Sequence, residues 1–214
     1  MKIAHISDIH VRNYKYHHEY KEVFQQLFDK LKELKPDIIV NTGDTAHTKS
    51  ILSPEYFNLT SWLFTGLAEI APLHMILGNH DCNVKNSSRL DAITPITEAL
   101  EDPNIHFHKH TKEVDLGENI VLNVLSILDQ DKWSPPSNPN KTNLALYHGA
   151  VAGAKTDTGW IMEHGEIDLE FLGNFDYGLL GDIHRTNQII DDHGKARYPG
   201  SLIQQNFGES LDKG

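Results

Sequence analysis

The sequence predicts an α/β fold on three observations. Short apolar runs of strand length recur along the chain, the first three are separated by stretches with helical periodicity, and five of the runs stop at aspartate, histidine or glycine. Runs at 2–7, 38–40 and 73–77 alternate with amphipathic stretches, the pattern of strands carrying helices on their faces. From about residue 104 strand-like segments follow one another, which predicts a second sheet. With 214 residues, 39% of them hydrophobic, the chain suits one sizeable domain, 1–214.

The first strand, 2–7, runs directly into Asp8-Ile9-His10. Tyr20, Val23, Phe24, Leu27, Phe28, Leu31 and Leu34 then recur at helical spacing, a stripe that belongs on a sheet, and Pro36 ends that helix. The second strand, 38–40, delivers Thr42-Gly43-Asp44. Ser53 is the expected N-cap of the next helix and Pro54 its first position. Tyr56, Phe57, Leu63, Phe64 and Leu67 lie on the apolar side, and Trp62 is left facing out. The third strand, 73–77, ends in Gly78-Asn79-His80-Asp81. Ser88 and Asp91 resemble a capping box, and Thr94-Pro95 is expected to break and restart that helix before Leu100.

Strands at 105–108, 112–116 and 120–127 are expected to form the second sheet, the last two joined by a turn at Gly117-Glu118-Asn119. His106, His108 and His110 alternate and share one face; nothing places a fourth ligand near them, so a solvated strand face is the expectation. Residues 130–143 hold Pro135, Pro136 and Pro139 and form a loop. The runs at 144–147 and 176–180 are buried-type strands ending in His148-Gly149 and Gly181-Asp182-Ile183-His184. A hairpin at 188–190 and 196–198 turns at Asp192-His193-Gly194. The last residues fall where another strand is expected, so a domain cut short at its carboxyl end, with no complete capping domain, is expected.

Lys plus Arg number 19 and Asp plus Glu 30, a net charge of −11 that argues against broad, charge-driven nucleic-acid binding but not against a local metal-charged site. A single cysteine, Cys82, excludes an intramolecular disulfide framework. No apolar stretch approaches the ~20 residues that span a bilayer. With no signal peptide before the first strand, a cytoplasmic protein is expected. Fourteen histidines stand out, because imidazole is both a common metal ligand and a common acid or base.

Five strand ends thus bring carboxylate, imidazole and amide groups together, where α/β sheets collect their ligands. These are the oxygen and nitrogen ligands that Mn²⁺, Fe or Zn²⁺ accept, with no thiolate among them, and a two-metal site follows. If the extended backbone persists, Asp8 and His10 point the same way and reach one ion, and so do Asp182 and His184.

The ordered set Asp8-Ile9-His10, Gly43-Asp44, Gly78-Asn79-His80-Asp81, His148-Gly149 and Asp182-Ile183-His184 resembles the calcineurin-like metallophosphoesterases over essentially the whole chain. The run from Lys2 to His10, Tyr198-Pro199-Gly200-Ser201 and Phe207-Gly208-Glu209 look like the SbcD/Mre nucleases of double-strand-break repair, in a phage or bacterial version. The resemblance implies a four-layer α-β-β-α sandwich of two mixed sheets flanked by helices. It implies one ion on Asp8, His10 and His184, a second on Asn79, His148 and Asp182, and Asp44 bridging them. His80 would stay off the metals as the catalytic acid, stabilising the developing charge or protonating the leaving oxygen. His47 stands where related phosphatases often have an aspartate and is assigned to substrate contact, with Arg12 and Arg185.

One position departs from the pattern: the family usually has Gly-His-x-His where this chain has Gly181-Asp182-Ile183-His184. Three carboxylates and an attacking hydroxide then cancel two divalent charges, which predicts Mn²⁺, or Mg²⁺, over Zn²⁺. The implied function is a Mn²⁺-dependent DNA nuclease, exo- or endonucleolytic, acting in DNA repair or recombination with an SMC-like ATPase of the SbcC/Rad type. The implied homodimer packs through helices near 54–68 and 88–100, with Trp62 or Phe64 exposed for it. Phage encoding would place the protein in the host cytoplasm. The alternatives are a nucleotide or cyclic-nucleotide phosphodiesterase, and a DNA-end-binding scaffold whose second metal site Asp182 has impaired.

Overall fold

In the computed structural model, which describes residues 1–213, Ile38, Ile39 and Val40 of β2 (Ile38–Asn41) alternate between two apolar layers. Ile39 joins the helical layer, whereas Ile38 and Val40 face another sheet. Successive strand side chains point to opposite faces, so a strand covered on both sides reads as an unbroken apolar run.

β1 (Ile3–Ile6), β2, β3 (Leu73–Ile76) and β4 (Ile105–His108) form one sheet in that order, parallel throughout. Its outer face carries α1 (His17–Leu34), α2 (Pro54–Ala68) and α3 (Thr94–Leu100), packed through Tyr20, Phe24, Phe28, Leu63, Leu67 and Ile96. Ser53 caps α2, its hydroxyl accepting from the Tyr56 N–H. The second sheet runs β5 (Lys112–Gly117), β6 (Ile120–Leu125), β7 (Thr142–His148), β8 (Tyr177–Gly181), β10 (Ala196–Tyr198), β9 (Gln188–Ile189). Its centre is parallel and its two edge pairs are antiparallel. Leu122, Val124, Leu144 and Leu146 meet Ile38, Val40 and Ile76 between the sheets. Ala145, Tyr147 and Leu180 face the other way, against Val151, Ala154 and Ile167 of the following loop and Leu172 of the short α4 (Leu169–Leu172).

The layering is therefore α-β-β-α, as expected, with four local differences. β4 belongs to the first sheet, pairing Leu73 with Ile105 and Ile76 with His108, so that sheet is wholly parallel where a mixed one was expected. Its one α3 crossover from β3 explains the direction. The alternating histidines do not form a solvated face. His106 and His108 lie opposite His74 and Ile76, on the inter-sheet side; His74 and His108 are both buried, with Nδ1 and Nε2 3.0 Å apart, and His106 stacks on His74. His110 has left the strand and stands beside Asp129.

The helix expected from Ser88 starts only at Thr94. Asp91 accepts from the Ile93 and Thr94 N–H groups and the Thr94 hydroxyl, and Pro95 sits in the first turn, where a missing N–H costs nothing. Pro95 thus begins the helix instead of breaking it. Finally, Phe64 is fully buried and offers nothing to a dimer, while Trp62, 38% exposed, packs its ring on Phe24 and Phe28.

Candidate metal centre

Beyond their strands the β1 and β2 segments stay side by side: Asp8 N–H donates to Gly43 O (3.0 Å), His10 N–H to Asp44 O (2.9 Å) and Val11 N–H to Thr45 O (2.8 Å). The backbone is not extended there. Asp8, His10, Asp44 and Asp182 have φ of 54°, 52°, 53° and 98°, and they are four of the ten non-glycine residues with positive φ among the described residues. Such conformations cost energy even for Asp and persist only where the surroundings enforce them, so the strain gathers at three of the five strand ends, those after β1, β2 and β8.

Two glycines let these ends close on one another. At Gly78 a Cβ would stand 2.1 Å from Asp44 Oδ1, and at Gly43, with φ of 98°, a Cβ would stand 2.6 Å from Gly78 N and 2.8 Å from His148 Nδ1. Asp81 then ties the third loop to the second: one carboxylate oxygen accepts from Ala46 N–H (2.7 Å), the other from Gly78 N–H (2.9 Å). Burial first, then the neighbouring Asp44 charge, pushes Asp81 up to about 7.

The side chains form two clusters that share Asp44. In the first, His10 Nε2 lies 3.0 Å from His184 Nε2 and 4.0 Å from Asp8 Oδ1, and His184 Nε2 lies 3.8 Å from the same Asp8 oxygen. In the second, Asp182 Oδ1 accepts from Asn79 Nδ2 (3.2 Å) and lies 3.8 Å from His148 Nε2. Asp44 stands between them, Oδ2 3.6 Å from His10 Nε2 and Oδ1 3.4 Å from His148 Nε2. Asp182 and His184 therefore go to different clusters. The extended-backbone expectation that put both on one ion fails: the backbone is left-handed at Asp182, and its carboxylate faces Asn79 and His148 while His184 faces Asp8 and His10.

A family model of the calcineurin-like phosphoesterases matches residues 1–197. The chain belongs to that family. It is 42% identical over 223 residues to Uncharacterized protein R555 of Acanthamoeba polyphaga mimivirus, an alignment that takes in 98% of this chain and 16% of that protein. A solved structure, Pseudomonas putida nuclease MPE, is similar over 65% of this chain and 57% of that one, with 16% identity and a TM-score of 0.37, a likeness too low to carry an activity across.

The donor set suits the divalent metals of a calcineurin-like phosphoesterase. Asp8 and Asp44 are buried and crowded together, and His148 Nε2 is buried without a hydrogen-bond partner among the described residues. Thr42 O receives the other nitrogen of that ring at 2.7 Å, which turns the Nε2 lone pair toward Asp44 and Asp182. Without a cation, protons would have to balance the carboxylates. Burial, reinforced by Asp44, raises Asp8 to about 6 against the pull of His148; burial alone would lower His148, but Asp44, Asp8 and Asp182 hold it well above an ordinary imidazole. Asp44 resists its own burial and stays below the usual carboxylate range because His148 and His10 face it. Asp8, His10 and His184, and again Asp8, Asp44 and His148, can each gather on one ion.

The remaining assigned residues lie at the rim. His80 is exposed; its N–H donates to Asp44 Oδ1 (2.8 Å), its Nδ1 meets His47 O (2.9 Å), and its ring packs edge-on to His10 at 4.8 Å. His47 Nε2 is 3.0 Å from Arg12 Nη1, and His47 also groups with His10 and His80, their ring nitrogens within 4.8 Å of one another, so it borders the first cluster. Arg185 is exposed and lines a groove of about 340 Å³ beside Asp182 and His184. Two contributors had no role assigned from sequence. Lys49 Nζ donates to Asn79 O (2.6 Å), and Glu209 Oε1 accepts from His184 Nδ1 (2.7 Å). The Phe207-Gly208-Glu209 run drew attention to Glu209, but a glutamate 25 residues beyond His184 carries no local sign of the contact.

Proposed function

We propose that this chain carries the catalytic centre of a Mn²⁺-dependent DNA nuclease that hydrolyses phosphodiester bonds. The observation that carries the reading is the pair of clusters sharing Asp44, with an exposed histidine anchored to that same carboxylate. Asp8, His10 and His184 would hold one ion, Asn79, His148 and Asp182 the other, and Asp44 both. When bound, the ions supply charge to the phosphoryl oxygens and the attacking water. His80 would serve as the proton donor to the leaving oxygen, and its anchored main chain and Nδ1 fix where its ring stands at the rim. Arg12 and Arg185 supply positive charge to phosphates beside the centre, and His47, whose ring burial and Arg12 hold toward the neutral form, lies against Arg12 Nη1 at 3.0 Å. Partnership with an SMC-like ATPase, a role in repair or recombination, and a homodimer contacting Trp62 and α2 rest on the resemblance of the motifs alone.

The test is hydrolysis of linear DNA with Mn²⁺ by the wild type and by His80→Ala. Loss of a proton donor is expected to lower kcat about 10²- to 10⁴-fold. Bound metal is expected to stay the same. A His80→Ala protein that cuts as fast as wild type would sink the mechanism.

A further inference from the structure

We infer that the groove between residues 12–16 and the turn at 204–208 seats an unpaired nucleotide of a single-stranded nucleic acid, its base on Tyr16 and Phe207 and its phosphate on Arg12 and Lys15. The inference rests on the phosphodiesterase reading above and names the form of the substrate.

Arg12-Asn13-Tyr14-Lys15-Tyr16 interleaves cations and aromatics in an irregular loop, and packing does not account for them: Tyr14 is 75% and Tyr16 47% exposed. Phe207 faces them across the groove and is fully exposed. A single exposed aromatic is ordinary; two lining one cationic groove, with Tyr14 on the same loop, are not. The groove, of about 280 Å³, is lined by Arg12, Lys15, Tyr16, Phe207 and three uncharged amide side chains, with no carboxylate. Four other grooves, of about 140 to 390 Å³, each carry at least one carboxylate, as expected in so acidic a chain.

The groove is also tied to the metal centre. Arg12 Nη1 meets His47, whose ring lies 5.8 Å from His10 and 5.9 Å from His80. Arg12 Nη2 donates to Gln205 O (3.1 Å) across the groove, and its guanidinium stands 5.6 Å from the Tyr16 ring centre. Phe207 tops a turn held by Glu209, which accepts from Gln205 N–H (2.9 Å) and Asn206 Nδ2 (2.7 Å) while gripping His184. One short turn therefore sets both the aromatic platform and a candidate metal ligand. Every base has a face that stacks on an aromatic ring, but only an unpaired base has that face free, so the seat selects strand state and not sequence.

The full chain is titrated with a fluorescent single-stranded phosphorothioate 12-mer, which resists cleavage, and with the blunt duplex of the same sequence. Tyr16→Ala and Phe207→Ala are each expected to weaken single-strand binding roughly 5- to 150-fold, with duplex binding changed far less. Phe207→Trp is expected to restore it, and Lys15→Gln to flatten its salt dependence. Binding within twofold of wild type in Tyr16→Ala/Phe207→Ala overturns the seat. So does an equal loss for both strand states, or a loss that tracks a lowered Tm and is not rescued by tryptophan. Wild type that hydrolyses neither DNA nor bis(p-nitrophenyl) phosphate with Mn²⁺ overturns the phosphodiesterase reading instead, whatever the binding shows.

Discussion

Glu209 Oε1 accepts a hydrogen bond from His184 Nδ1 at 2.7 Å, which turns the other nitrogen of that ring to His10 Nε2 and Asp8. A carboxylate behind an imidazole fixes its tautomer and raises its basicity, and removing such a partner typically costs about 10- to 100-fold in metal affinity. Glu209→Ala is therefore expected to weaken binding of one of two ions by that factor, with activity recovering at high Mn²⁺. Glu209→Gln, which can still accept but carries no charge, should fall between. Metal titration by calorimetry checks both, and an unchanged affinity in Glu209→Ala would show that His184 needs no such partner.

Asp182 is expected to set the metal preference. It shares a cluster with Asn79 and His148, and burial raises its carboxyl while His148 opposes the rise. Oxygen ligands favour the harder ions, so after chelation the wild type should be reactivated best by Mn²⁺ or Mg²⁺, and Asp182→His should move the optimum toward Zn²⁺. Wild type that responds best to Zn²⁺ would count against this role for Asp182.

Much of this was legible in the sequence because the two signals involved are local. Apolar runs such as Ile38-Ile39-Val40 mark strands covered on both faces, and the polar groups that follow them mark the strand ends. What was not legible depended on partners distant in sequence. His108 reads as polar and alternating, yet it is buried against His74 across a strand pairing that no local pattern announces. The direction of Asp182 escapes the local pattern for a different reason: alternation assumes extended backbone, whereas Asp182 takes a left-handed φ of 98° with its N–H donated to the Asp8 carboxylate (3.1 Å), a partner 174 residues away.

Asp81 touches neither cluster's imidazoles but fixes the loop that carries Asn79 and His80. Both of its oxygens accept main-chain N–H groups in a fully buried setting. In Asp81→Asn one oxygen becomes an NH₂ group facing a donor, and a buried unsatisfied group costs about 1–3 kcal/mol. The variant should show a lowered Tm of corresponding size together with reduced metal occupancy. An unchanged Tm would mean that the loop is held elsewhere.

The His74–His108 pair predicts an acid-sensitive fold. Burial, with help from His106 and Lys112, lowers His74 to about 4, and burial, with help from Lys112 and His74, lowers His108 to about 3, from the ordinary 6.5. Between those values and 6.5 the unfolded chain binds protons that the folded chain refuses, so stability rises with pH across that window. It is lost as pH falls below about 6.5, by up to about 1.4 kcal/mol per pH unit for each fully titrating group, and the loss stops near the folded-state values. Replacing the pair by apolar residues of similar volume, as in His74→Phe/His108→Leu, should flatten the dependence between pH 4 and 6.5. Urea unfolding at a series of pH values, with chelator present so that metal binding does not contribute, measures the slope. A double variant as acid-sensitive as the wild type would place the proton uptake at other groups, His5 first among them, since burial alone lowers it to about 3.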